Sequence, residues 1–308
     1  MYTKVRFAYA DRGKDMIKTM NFVERKAYAK INLGLDVLRR REDGYHEVKM
    51  IMQTVDIWDR LTFCEGSEPG IELSVNDAAL PAGKDNLIYR AAELLIKEKN
   101  IRQGVKITLE KNIPVAAGMA GGSTDAAAVF HGLNELFDLS MSLEDMKRLG
   151  VKIGADVPYC IMGGTALSEG IGEILTLLPA PPACILVVAK PDIAVSTKFV
   201  YENLHADKLK RHPDIDGMTK AIKDGDLSGI AKRMENVLET VTIRKYPVID
   251  QIKEQMKTEG AVNALMSGSG PTVFGIFTER KAAQSAADKI RRQGLAKQVF
   301  VTGFYNAG

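Results

Sequence analysis

Five groups of residues combine types and spacings suited to chemistry on an anion or a flat ring. The first is residues 114–125, PVAAGMAGGSTD. Gly118, Gly121 and Gly122 let backbone N–H groups turn inward and approach an anion closely. The alanine-rich stretch that follows predicts a helix over 123–137, whose positive dipole end points at the same place. Ser123 and Thr124 add hydroxyls able to meet phosphate oxygens or Mg²⁺. A Walker A loop requires a lysine before Ser123, where this chain has glycine, and a dinucleotide fingerprint requires G-x-G-x-x-G directly after a strand. Neither is present, so the segment is either another kind of phosphate cradle or a glycine-rich turn with no ligand.

The other four groups are smaller. Lys30 and Asn32 share one face of a predicted strand, roughly 7 Å apart along the chain; that face is either functional or merely solvated. Asp156 stands in Gly154-Ala-Asp-Val-Pro158, where a glycine and a proline fix a carboxylate just past an expected helix end. It is suited to point into a cleft, or simply forms a turn. Tyr45 and His46 follow the turn signal Asp43-Gly44, and such a pair can stack on and hydrogen-bond a planar ring. Ser267-Gly268-Ser269-Gly270-Pro271 is a second glycine turn, or a tight hairpin.

Elements must position these groups. Residues 22–38 alternate, with Ala27, Ala29, Ile31, Leu33 and Leu35 on one face and Lys26, Tyr28, Lys30, Asn32 and Asp36 on the other. That pattern predicts a half-buried strand. Asp85 is a suitable N-cap for a helix carrying Leu87, Ala91 and Leu95 on one stripe. Residues 105–109 read as a strand, and Ser142 with Asp145 as a capping box opening a helix that runs to about Gly154 across an interior Gly150. The proline-rich residues 178–182 are the best domain boundary. Beyond them lie an apolar strand at 183–189, several helices including one begun near Pro247, a strand–turn–strand through the second glycine turn, a helix at 280–292 and a strand at 298–304.

Bulk composition narrows the classes. The chain has 308 residues, comfortable for two domains, and a formal net charge of only +3, which gives no support to a nucleic-acid partner. The longest apolar run, 183–189, is far too short to span a bilayer. Three scattered cysteines and four histidines show no ligand spacing, so a zinc site or disulfide framework is not expected and a reducing cytoplasm is. Residues 1–20 hold no apolar segment of secretory length and read as an N-terminal extension.

Taken in order, Ala29-Lys-Ile-Asn-Leu33, Asp43-Gly-Tyr-His46, residues 114–128, Gly154-Ala-Asp-Val-Pro158 and Ser267-Gly-Ser-Gly-Pro271 resemble the GHMP kinases, over about residues 21–305. The resemblance implies an α+β fold of two domains. One, over 21–182, would be like ribosomal protein S5 domain 2 and bind ATP; the other, over 183–308, would be ferredoxin-like, with the active site in the cleft between them. It further implies that Asp156 takes the proton of an acceptor hydroxyl as it attacks the γ-phosphate, while Lys30 favours that carboxylate and stabilises charge at the attacking oxygen. Gly118, Gly121, Gly122 and Ser123 would bind ATP phosphates, Pro114 would belong to the same ATP site, Asn86 and Leu87 would line the adenine side, and Lys111 would sit beside the nucleotide. The K-I-N-L and D-G-Y-H pair narrows the acceptor to a small molecule, a diphosphocytidyl methylerythritol, on the non-mevalonate route to isopentenyl diphosphate. Asn32, Tyr45, His46, Thr197 and Tyr201 match its side of the site; Phe199 is the alternative to Tyr201. Ser267, Gly268, Ser269 and Gly270 form the glycine turn near the site. ATP would arrive with Mg²⁺, for which no carboxylate stands out as a protein ligand. A soluble monomer or homodimer is expected, with no membrane or nucleic acid. A sister kinase for mevalonate or homoserine has no use for a ring clamp, a non-catalytic descendant has no need of a base, and an RNA-binding module of the same fold finds little support in the charge.

Overall fold

The computed structural model describes residues 5–9 and 18–306. They form two compact units that do not follow a boundary at Pro182. Of the described residues, the first comprises 5–9, 18–28, 58–113 and 121–162; the second comprises 29–57, 114–120 and 163–306. The chain changes unit part-way along two long strands, β2 (Lys18–Arg40) and β3 (His46–Gly66).

In the first unit, β1 (Val5–Tyr9) pairs antiparallel with the start of β2, Val5 opposite Phe22. Part of the stretch read as an extension is therefore a strand in a hairpin. The end of β3 pairs antiparallel with β5 (Gly104–Glu110), which pairs in parallel with β4 (Ile71–Val75). Helices α1 (Leu87–Lys99), α2 (Gly121–Leu136), α3 (Leu143–Gly150) and α4 (Val157–Met162) complete the unit. The α1 stripe is the one its periodicity predicts, with Ile88, Ala91, Ala92 and Leu95 buried against β5 and α2 residues in one core. Its cap is Asn86 rather than Asp85: Asn86 Oδ1 accepts from the Ile88 N–H at 2.9 Å. The Ser142 cap stands, accepting from the Asp145 N–H at 3.1 Å. Helix α3 ends at Gly150, short of Gly154. A Cβ at Gly150 would lie 2.8 Å from Ile161 and 3.0 Å from Val157, so the glycine lets α3 lie close on α4.

In the second unit, the first half of β3 pairs with β6 (Thr165–Gly170), which pairs with β7 (Ile174–Leu178). A separate four-stranded antiparallel sheet follows, from β8 (Ile185–Lys190), β9 (Asn263–Met266), β10 (Val273–Phe277) and β11 (Gln298–Thr302), in the order β11-β8-β10-β9. Helices α5 (Thr197–Glu202), α6 (Ile215–Lys223), α7 (Leu227–Lys232), α8 (Glu239–Lys245) and α9 (Val248–Thr258) lie between β8 and β9, and α10 (Arg280–Arg292) between β10 and β11. That strand order, with helical crossovers before β9 and after β10, is ferredoxin-like. Among the described residues, no helix is long and apolar enough to cross a membrane.

Strand β2 departs from its expected half-burial. From Ala29 to Val37 both faces are covered, and Lys30, Asn32 and Asp36 are as buried as their apolar neighbours. Alternation reports one apolar face; it does not report that other segments cover the polar one.

Candidate active site

The second unit brings several of the expected residues together around β2. Lys30 is 5% exposed and Asn32 fully buried, and the Lys30 ammonium donates to Asn32 Oδ1 at 2.8 Å. Asn32 donates in turn to the Met50 sulfur at 3.2 Å. The Lys30 backbone N–H donates to the Met119 carbonyl at 3.2 Å, fixing the glycine loop 114–120 along the strand. Asp36 accepts from His212 Nδ1 at 2.9 Å, which gives the buried carboxylate a partner.

The loop itself is built from unusual backbone. Ala116, Gly118 and Ala120 all have positive φ, at 51°, 71° and 56°. Gly118 is required twice over. A side chain would be strained at that φ, and its Cβ would fall 2.4 Å from the Ser267 carbonyl oxygen. The glycine turn 267–270 is seated on the loop, and the Ser267 hydroxyl donates to the Gly118 carbonyl at 2.9 Å. Ser269 shares a 2.8 Å hydrogen bond with Thr197, the first residue of α5. The two glycine segments singled out from the sequence therefore meet, and Thr197 joins them.

Further along α5, the Tyr201 ring lies 5.1 Å from the His46 ring, tilted by 44°. The Phe199 ring has the Lys245 ammonium 3.6 Å from its centroid. His46 and Tyr201 thus form the aromatic pair, while one face of Phe199 is taken by a cation. Tyr45 is 59% exposed, held by its backbone N–H to Asp43. Burial, helped by the positive charge of Arg40, pulls the His46 pKa below its ordinary value, so the imidazole is neutral at pH 7 and can accept or donate.

In the first unit, the N-terminus of α2 gathers Leu87, Lys111, Gly121, Gly122 and Ser123. Gly122 is exposed, and a Cβ there would meet only Leu87, at 3.4 Å. Gly121 lies against the Lys111 ammonium, 3.0 Å from where its Cβ would be. Thr124 does not share the hydroxyl role expected beside Ser123. It is buried and donates to the Tyr28 carbonyl at 2.7 Å, tying α2 to β2. Asn86 likewise spends its side chain on the α1 cap and on the Pro81 carbonyl, at 2.8 Å.

Lys111 occupies an arrangement that sequence spacing gave no sign of. Its ammonium bonds two buried carboxylates, Asp59 on β3 and Asp125 on α2. Asp59 also accepts the backbone N–H groups of Asn112 and Ile113, so it fixes the segment that leads into the loop. Burial pulls the Lys111 pKa down, but the two carboxylates outweigh it and hold the lysine above its ordinary value. Asp125 is pushed well above the usual carboxylate range, by burial first and by Asp59 as well, against the pull of Lys111. Its Oδ1 is buried with no hydrogen-bond partner among the described residues.

Asp156 stands at the start of α4 rather than after a helix end; its carbonyl accepts from the Cys160 N–H at 3.0 Å. It is half-buried. Among the described residues, no cluster of three or more His, Cys, Asp or Glu side chains could hold a metal ion.

The family model for the GHMP kinases N terminal domain matches residues 86–164, and that for GHMP kinases C terminal matches 218–296. Together with the fold they define the class, a two-domain GHMP kinase. A curated 4-diphosphocytidyl-2-C-methyl-D-erythritol kinase from Lachnoclostridium phytofermentans is 52% identical over 94% of this chain and 99% of its own length. One of the same name from Clostridium perfringens is 50% identical over 92% of this chain and 98% of its own length. The crystal structure of a 4-(cytidine 5'-diphospho)-2C-methyl-D-erythritol kinase superposes with a TM-score of 0.78 at 33% identity, covering 92% of this chain and all of that one. The chain belongs to the 4-diphosphocytidyl-2-C-methyl-D-erythritol kinase family.

Proposed function

We propose that this chain transfers the γ-phosphoryl group of ATP to the 2-hydroxyl of 4-diphosphocytidyl-2-C-methyl-D-erythritol, on the methylerythritol phosphate route to isopentenyl diphosphate. The observation that carries this reading is the 52% identity with a kinase of that name over 99% of its length. The His46–Tyr201 ring pair is what the geometry adds, because a flat base needs a π surface and a polar edge.

In phosphoryl transfer, positioning and electrostatics do most of the work. The loop 114–120 and the first turn of α2 bind the phosphates through backbone N–H groups, with Ser123 adding its hydroxyl. Leu87 lines the adenine side, and Asn86 orders that region as the cap of α1. Asp156 takes the proton from the acceptor hydroxyl. Lys30 brings positive charge to the attacking oxygen, its ammonium oriented by Asn32. Lys111 acts through Asp59 and Asp125 and not by reaching a phosphate itself. Asn32, His46, Thr197 and Tyr201 receive the diphosphocytidyl part, with Tyr45 at the exposed rim. Mg²⁺ neutralises phosphate charge when bound. An ion carried by the nucleotide keeps several waters and needs few protein ligands; Ser123, in the first turn of α2, is the residue that would offer it a hydroxyl.

A coupled ADP-release assay over a panel of acceptors tests the reading. The cytidyl compound should turn over efficiently, and free methylerythritol phosphate, mevalonate and homoserine poorly. Turnover of mevalonate or homoserine with none of the cytidyl compound would replace it with a sister activity.

A further inference from the structure

Asn236 lies outside every motif described above, yet it joins three parts of the second unit. It is 3% exposed. Its backbone is registered against β2: the Leu35 N–H donates to Glu235 at 3.0 Å, and the Val237 N–H donates to Leu35 at 3.1 Å. This is the strand that carries Lys30 and Asn32. Its side-chain amide donates to the carbonyls of Met266 and Gly268, both at 2.8 Å, and accepts from the Leu238 N–H at 3.0 Å. Both amide hydrogens and the carbonyl oxygen are thus used inside the protein. Met266 and Gly268 flank Ser267, the residue whose hydroxyl holds the Gly118 carbonyl.

The consequence for the loop follows from peptide geometry. In a planar trans peptide the C=O and N–H point in opposite directions. Ser267 holds the Gly118 carbonyl, so the Met119 N–H is turned away from the glycine turn. Lys30 holds the Met119 carbonyl, so the Ala120 N–H is likewise turned away from β2. Two successive N–H groups of the loop are aimed by bonds made to their carbonyl partners, and such groups form anion-binding concavities.

We propose that Asn236 is a positioning residue for the nucleotide loop. It fixes the glycine turn against β2 at the place from which Ser267 orients the Met119 peptide. The proposal rests on the reading that residues 114–120 bind nucleotide phosphates. Thr242, which donates to the Ser269 carbonyl at 3.2 Å, and Glu239, which accepts from the Met266 N–H at 2.8 Å, support the same turn without touching Ser267.

The test measures affinity for a non-hydrolysable ATP analogue by calorimetry, together with both Michaelis constants, in the full chain. Ser267→Ala and Asn236→Ala should each weaken nucleotide binding about five- to tenfold, the worth of roughly one hydrogen bond. The acceptor Michaelis constant should move by less than about twofold. Because both residues act through one chain of bonds, the double variant should bind no more weakly than the worse single one. A purely structural Asn236 would lower the melting temperature and leave the affinity of the folded fraction alone. Parental affinity in both folded single variants, equal losses for nucleotide and acceptor, or additive losses would overturn the proposal. Should Asn236→Ala not fold, Ser267→Ala touches only the last link, and parental nucleotide affinity there would be enough to refute it. Gly122→Val separates the two levels. Absence of nucleotide binding in the unmodified protein, or unchanged binding in Gly122→Val, would strike the loop reading itself; loss in Gly122→Val beside parental affinity in Ser267→Ala would strike only the role of Asn236.

Discussion

Each unit buries one lysine of the proposed nucleotide machinery, and the two bond different kinds of side chain. Lys111, in the first unit, is bonded to two buried carboxylates. Lys30, in the second, is bonded to the neutral amide of Asn32. A buried cation bonded to two carboxylates holds both in place, and its removal strands them. The Asn32 amide orients the Lys30 ammonium without itself carrying charge. The same residue type therefore ties two carboxylates in one unit and is oriented by an amide in the other.

Removing the proposed base and its companion should have the largest effect on rate. Asp156→Asn should lower turnover by roughly the 10²–10⁴-fold of lost general-base catalysis, with acceptor affinity changed less. Lys30→Met should lower it by about 10²–10³-fold, the range for losing one preorganised charge-stabilising group. Lys30→Met also leaves Asn32 Oδ1 without this donor, which should cost about 1–3 kcal/mol of stability. Steady-state kinetics beside calorimetric melting reads both. A Lys30→Met variant that keeps the parental rate would remove the contrast between the two lysines.

Lys111→Met should show the opposite split. Two buried carboxylates lose their shared cation, and breaking such a pair costs about 3–5 kcal/mol. A large loss of stability is expected in denaturant unfolding, with nucleotide affinity falling only as the loop loosens. Parental stability with a strong, selective rise in the ATP Michaelis constant would mean that Lys111 meets the phosphates directly.

These two lysines also mark the limit of what the sequence made legible. Lys30 was found because its neighbours on β2 alternate and because K-I-N-L is a local pattern. Lys111 enters only through the family resemblance; its partners lie 52 and 14 residues away, and no local pattern announces a pairing that distant. Helices α1 and α3 are legible from an apolar stripe and a capping box, which are properties of one segment. Strand β3, 21 residues long, was not, because Lys49, Asp56, Asp59 and Arg60 interrupt its apolar run. Asp59 there looks like a surface charge until the fold buries it under Asn112 and Ile113. Asn236 is the extreme case. A lone asparagine at a helix entry is common, and only the three-dimensional path of the glycine turn gives it a role.

The two aromatic candidates on α5 give a smaller and sharper comparison. Tyr201→Ala should raise the Michaelis constant for the cytidyl substrate by an amount corresponding to about 1–3 kcal/mol of stacking and leave that for ATP nearly unchanged. Phe199→Ala should leave both nearly unchanged, because the Phe199 ring is engaged by Lys245. Equal effects of the two substitutions on the acceptor would mean that the His46–Tyr201 pair does not define the base site.

The smallest expected effect concerns the second carboxylate of the Lys111 triad. Two carboxylates and one ammonium, all buried, cannot be neutral unless one carboxylate keeps its proton. The Asp125 pKa stands well above the ordinary 3.8, because burial and then Asp59 raise it against the pull of Lys111. A raised pKa in the folded state means that the native protein holds this proton more tightly than the unfolded chain does. The stability it contributes is therefore complete below about pH 4, the ordinary carboxylate range, and is lost as pH rises through the elevated folded value. Asp125→Asn keeps an oxygen for Lys111 and places an amide hydrogen where Oδ1 now lacks a partner, with nothing left to ionise. The melting temperature of the variant minus that of the parent should then increase steadily as pH is raised from about 4, by a few degrees in all. Melting both proteins across that range decides the matter. A difference that is flat, or that falls with rising pH, would show that Asp125 is ionised throughout and that Lys111 is shared by two full negative charges.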